Sequence, residues 1–154
     1  MMTIEQKLAE LGIVLPAPAA PVAAYVPAVI HDGLAHISGQ IPFIDGALVL
    51  GRLGEGMSVE QGAAAARACG LMILAQARAA LGSLDRVERV VKLGGFVNCT
   101  ANFTDQPRVI NGASELMVEV FGEAGKHARS AVGVPSLPLG VAVEVDAILA
   151  VRGA

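Results

Sequence analysis

Two charged residues sit inside strand-like apolar runs near the end of the chain, Arg129 in Ala128-Arg129-Ser130-Ala131-Val132-Gly133-Val134 and Glu144 within residues 141–151. A strand that only fills a core favours neutral residues at such positions, so this pair is the first place to look for chemistry. A guanidinium presents a rigid fork of donors that matches a carboxylate in bidentate fashion, and a carboxylate can hold or activate a water. Leu137-Pro138-Leu139-Gly140 lies between the runs and reads as a turn, which predicts a hairpin. With the turn centred near Pro138-Leu139, Glu144 falls opposite Gly133, and Arg129 shares the face of Gly133 by strand parity. The two charges then point the same way across roughly 13 Å of strand, a gap the long Arg side chain partly closes, leaving room for a small molecule. The alternative is an Arg and a Glu that are exposed or structurally paired and do no chemistry.

Other residues are placed to line such a site. Tyr25, the one tyrosine, stands in an aliphatic stretch, where it either reaches a ligand with its hydroxyl or packs its ring and finds one hydrogen bond. Asn111, followed by Gly112 inside a helical pattern, is an unfavourable helix choice; it is kept for its amide hydrogen bonds or simply lies on the surface. Ser38-Gly39-Gln40 can offer backbone N–H groups to an anion, though such triplets are usually turns. His31, His36 and His127 lack metal-ligand spacing, and none is read as catalytic. Cys69 and Cys99 lie thirty positions apart with no C-x-x-C, which predicts buried thiols rather than a disulfide or zinc site. No metal and no cofactor is implied.

The elements that must hold these residues are legible in outline. Thr3 and Gln6 form a capping box opening a short helix over 4–11 that Gly12 can end. Residues 22–30 and 34–38 read as strands joined by the His31-Asp32-Gly33 turn, and 43–50 as a short turn and strand around Asp45-Gly46. Ser58 with Gln61 repeats the capping box before a long Ala-rich helix over 59–81, closed by Gly82, with Arg67 and Arg78 on its solvent side. A strand over 87–99 precedes a second helix over 107–121, capped by Thr104 or Asp105. The order β-β-β-α-β-α-β-β predicts an α+β domain, a mixed sheet with two main helices on one face.

The 154-residue length suits one domain. Hydrophobic residues make up 54% of the chain against 16% charged, more apolar surface than one copy can cover, which predicts a homo-oligomer. A net charge of −3 with scattered cations argues against nucleic acid as partner. The uncharged stretch 12–30 is broken by Pro16, Pro18, Pro21 and Pro27, so no membrane span is read there, and no leader pattern opens the chain, which predicts a cytoplasmic protein.

Several segments together resemble the RidA/YjgF family of enamine/imine deaminases, also called L-PSP endoribonuclease and translation inhibitor. These are Tyr25-Val26, Ile37-Ser38-Gly39-Gln40-Ile41-Pro42, Phe96-Val97, Asn111, Ala128-Arg129-Ser130, Leu137-Pro138 and Val143-Glu144-Val145. The resemblance implies a chorismate mutase-like fold for residues 21–154, with 1–20 as an N-terminal extension, and a homotrimer with a central β-barrel and clefts between subunits. It further implies that Arg129 binds the substrate carboxylate, Glu144 positions the hydrolytic water, Ser38, Gly39, Asn111 and Ala131 line the pocket, and Tyr25 covers it. The implied reaction is hydrolysis of a 2-imino or 2-enamino acid, such as 2-aminoacrylate, to a 2-oxo acid and ammonia; the alternative is a non-catalytic trimeric binder of small carboxylic acids. Ala131 stands where the family commonly has Cys, and the extension and the Gly51-Arg52-Leu53-Gly54 loop mark a divergent subgroup.

Overall fold

Local signals set the helices. In the computed structural model, which describes residues 1–21 and 23–153, α1 (Ile4–Glu10) and α2 (Val59–Leu81) each start at the capping box read from the sequence. Thr3 Oγ1 accepts the Gln6 N–H at 3.1 Å and the Gln6 amide oxygen accepts the Thr3 N–H at 2.8 Å; Ser58 and Gln61 repeat the exchange at 3.1 and 2.9 Å. Gly82 ends α2 at φ 82°, a left-handed turn that costs glycine little. The third helix, α3 (Gln106–Phe121), follows Asp105, yet the predicted side-chain cap is absent. At φ −92°, ψ 26° Asp105 lacks the extended backbone from which a cap reaches back, and its carboxylate faces Arg108 at 3.5 Å instead.

The main sheet has strands β1 (Ala28–His31), β2 (Leu34–Gln40), β7 (Val87–Asn98), β8 (Ala128–Val134) and β9 (Val143–Val151). Between β2 and α2 lie four two-residue strands, β3 (Phe43–Ile44), β4 (Ala47–Leu48), β5 (Arg52–Leu53) and β6 (Gly56–Met57). The order across the main sheet is β1-β2-β9-β7-β8, with β8 parallel to β7 and the other neighbours antiparallel, so it is mixed as predicted. Two expectations are corrected. The strand read over 22–30 is shorter: β1 begins at Ala28, after Pro27, which can donate nothing to a ladder, and Val22 lies outside the described residues, as does Ala154. The predicted β8–β9 hairpin does not form either. Strand β7 lies between those strands, so the 137–140 turn spans two strand positions and Glu144 pairs with Phe96, not Gly133.

Helices α2 and α3 cover one face of the sheet. Their close approach rests on small residues: a Cβ on Gly70 would sit 2.9 Å from Leu116 Cδ2, and one on Gly112 would collide with the Ala63 carbonyl. Beneath them Val143, Val145, Ala147 and Leu149 alternate with Glu144, Asp146 and Ile148, the first set buried and the second half-buried. Arg67 and Arg78, expected on the solvent side of α2, are partly exposed there and bridge to Glu119 of α3 at 3.3 Å and Glu5 of α1 at 3.1 Å. Cys69 and Cys99 are free and buried. The lead-in after α1 is tied to α2 by Gln76, whose Nε2 donates to the Ala19 carbonyl at 2.7 Å.

Among the described residues, no helix covers the other sheet face. Val29, His36, Ile148, Lys92 and Ala128 form one row across all five strands by register, and Glu144, Phe96 and Val132 form another. Val29 and Val132 are exposed here, so the face is open and partly apolar.

Candidate functional site

Arg129 belongs to the helix side of the sheet. It pairs in register with buried Leu93, and α3 meets it with a stripe at i, i+4 and i+7. The Pro107 carbonyl accepts from Nη2 at 3.3 Å, while Asn111 Oδ1 and Ser114 Oγ accept from Nη1 at 2.8 and 3.1 Å. Those three contacts use both hydrogens of Nη1 and one of Nη2. What is left, among the described residues, is the Nε–H and the second Nη2–H, a two-donor edge of the kind that grips a carboxylate. A groove of about 630 Å³ runs beside it, walled by Ser114, Glu115, Val118 and Glu119 of α3 and by Lys126 and His127. The sequence singled out Asn111 but not Ser114, and set His127 aside as no metal ligand; Ser114 lies three residues beyond Asn111, which puts it on the same helix face.

Glu144 lies on the opposite face. The β2 ladder slips between Ile37 and Gln40, where Ile37 faces Ala147 and Gln40 faces Val145, and this bulge brings Gly39 against Glu144. Any Cβ on Gly39 would overlap the Glu144 carboxylate, so glycine is what lets the carboxylate sit where it does. A groove of about 440 Å³ surrounds the carboxylate, lined mainly by apolar groups including Tyr25, Pro27, Ile41, Phe43 and Leu139. Burial raises the Glu144 carboxyl above the ordinary glutamate range, and neighbouring Asp146 adds to the shift. Asp146 is itself raised by burial, opposed by the Gly94 N–H and by Lys92. Leu139, at φ 60°, is an exposed non-glycine residue in left-handed backbone at the rim.

The predicted residues therefore form two groups. Tyr25 and Gly39 share the Glu144 groove, with Ser38 next to it donating its hydroxyl to the Val26 carbonyl at 2.8 Å. Asn111 binds Arg129 directly, and half-buried Ala131 follows on the same side of β8, paired with Gly95. The expectation that Arg129 and Glu144 point the same way is overturned. Glu144 shares a row with Phe96 and Val132, whereas Arg129 shares one with Leu93, so inserting β7 between the strands reverses the parity. One copy of the chain presents the cation on the helix side of edge strand β8 and the carboxylate on the open side.

Residues 5–149 match the family described as "YjgF/chorismate mutase-like, putative endoribonuclease". Protein TCP17 of Trypanosoma cruzi is 53% identical over 148 residues, 95% of this chain and 92% of that protein. The crystal structure of Atu1372 from Agrobacterium tumefaciens, a protein of unknown function, is 46% identical, superposes with a TM-score of 0.89, and is matched over 97% of this chain and 94% of that one. Escherichia coli TdcF, solved with bound serine, is 27% identical with a TM-score of 0.63 over 89% of this chain and 94% of its own. The α+β sheet, its helix-covered face and the end-to-end match agree: this chain belongs to the YjgF/chorismate mutase-like family.

Proposed function

We propose that the protein hydrolyses reactive 2-imino and 2-enamino acids to 2-oxo acids and ammonia, in clefts between the subunits of a homotrimer. The observation that carries this reading is the division of the site. A two-donor guanidinium edge lies on one side of the sheet and a half-buried carboxylate on the other, so a small acid meets both only between two copies. Arg129 of one subunit holds the substrate carboxylate, and Glu144 of the next faces the imine carbon. An imine is already electrophilic, so orientation and proton transfer supply most of what the reaction needs. Water adds to the C=N carbon as Glu144 takes one of its protons and passes it to nitrogen, giving a carbinolamine; the hydroxyl proton then passes by way of Glu144 to the amine as the C=O bond forms and the C–N bond breaks, leaving the 2-oxo acid and ammonia. An enamine first takes a proton at carbon to become the imine. Burial raises the Glu144 carboxyl above the ordinary glutamate range, which makes it a better proton acceptor than a free glutamate.

A second reading is favoured by one observation: TdcF, of the same fold, was solved with serine, a small carboxylic acid. A pocket that holds such acids need not turn them over, and a carboxylate-binding trimer uses Arg129 in the same way. RNA cleavage, carried by the family description, is disfavoured by the net charge of −3.

The deciding experiment generates 2-imino acids in situ with an amino-acid oxidase and traps them with semicarbazide. Wild-type protein is expected to lower the trapped yield and Arg129→Ala to leave it unchanged. No effect across small, aliphatic and aromatic imino acids would leave the binding reading standing.

A further inference from the structure

We propose that His127 and Ser114 are positioning residues for Arg129, forming a one-directional hydrogen-bond chain that orients its free edge toward a substrate carboxylate. The inference rests on Arg129 as the carboxylate-binding group and adds two residues that neither the sequence nor the family description assigns.

The direction of the chain follows from donor and acceptor inventory. His127, half-buried, precedes Arg129 by two positions at the entry to β8. Its Nδ1 lies 2.6 Å from the Gly125 carbonyl oxygen, which can only accept, so Nδ1 carries the hydrogen. In the neutral ring Nε2 is then an acceptor, and its partner at 2.9 Å, Ser114 Oγ, must donate. The single hydroxyl hydrogen of Ser114 is thereby committed to His127. Toward Arg129 Nη1, 3.1 Å away, Oγ offers only lone pairs, which a guanidinium requires. The chain runs from Arg129 through Ser114 and His127 to Gly125.

The terminal acceptor and the serine of this chain are both fixed. Gly125 is buried where a Cβ would collide with the Met117 carbonyl, so its own carbonyl is held against α3. Ser114 sits on α3 in the stripe that also supplies Pro107 and Asn111. A lone serine in a helix can turn its hydroxyl back to the carbonyl four residues earlier. Committing the proton to His127 removes that alternative, so Nη1 keeps two acceptors and the Nε–Nη2 edge stays free. Mutual support of this kind within a polar network exceeds what single bonds supply.

The test measures binding of 2-oxobutanoate by calorimetry and, in the imine assay, kcat and KM separately. Ser114→Ala, which keeps a good helix former, and His127→Phe, which keeps the ring, are each expected to weaken 2-oxobutanoate about tenfold and raise KM in proportion with kcat little changed. His127→Gln, whose amide oxygen can accept from Ser114 at the Nε2 position, is expected to recover most of the loss. Nitrogen-15 NMR of the wild-type ring is expected to show the Nδ1–H tautomer. Full affinity in Ser114→Ala and His127→Phe while Arg129→Ala abolishes binding would overturn the positioning role and leave the Arg129 site intact. A His127→Gln variant as weak as His127→Phe, or an Nε2–H tautomer, would also overturn it. Binding that is unaffected by Arg129→Ala would overturn both this inference and the site it rests on.

Discussion

Arg129 is held by three acceptors from one helix while two of its donors stay free, and that arrangement is specific to a guanidinium. Arg129→Lys keeps the charge but cannot reach Asn111, Ser114 and Pro107 while gripping a carboxylate side-on. Its kcat/KM is expected to fall about a hundredfold, the cost of roughly 2–3 kcal/mol of charge-assisted hydrogen bonding; a lysine variant within twofold of wild type would contradict the fork geometry. Glu144 makes the complementary prediction. Its carboxyl is raised in the folded protein, so the fold favours the protonated form, and that advantage is lost as pH rises from the ordinary glutamate range through the raised value. Glu144→Gln is therefore expected to lose turnover yet melt at a higher temperature than wild type at neutral pH, with the difference closing at acid pH; thermal unfolding at two pH values checks this. Residue type and spacing were enough to single out Arg129, Glu144 and Asn111. Ser114 was not singled out and His127 was set aside for lack of metal-ligand spacing, because the two lie thirteen positions apart and are joined only once α3 packs beside β8.

The limits of α2, residues 59–81, were readable because caps are local: four residues and a glycine decide where the helix starts and stops. Strand order is not local. Nothing in 128–151 says that β7 will come between β8 and β9, and reading a hairpin there reversed the parity of the site. The glycines at close approaches give element-scale tests. Gly112→Ala drives a methyl into the Ala63 backbone carbonyl, which cannot yield without moving α2 off α3, and is expected to cost about 3 kcal/mol in a denaturation titration. Gly39→Ala meets only the end of the Glu144 side chain, which can rotate away. That variant is expected to keep its stability and lose activity by displacing the carboxylate; loss of fold with retained specific activity would contradict the role given to the bulge.

At the scale of the whole molecule, the proposed trimer gives the apolar, uncovered sheet face a partner. Val29, Ile148, Phe96 and Val132 line a face on which this copy places no helix, and β8 ends the sheet with an unpaired edge beside Arg129. In the proposed trimer, copies joined through such faces would bring each Arg129 edge to a neighbouring Glu144, so that neither chain holds a whole site. The most direct measurement mixes Arg129→Ala and Glu144→Gln chains by joint refolding and assays imine hydrolysis. Each variant alone is expected to be inactive. In an equal random mixture about one cleft in four pairs an intact arginine with an intact glutamate across a subunit boundary, so about a quarter of wild-type activity is expected. Mixed trimers that form yet show no activity would contradict a site shared between subunits.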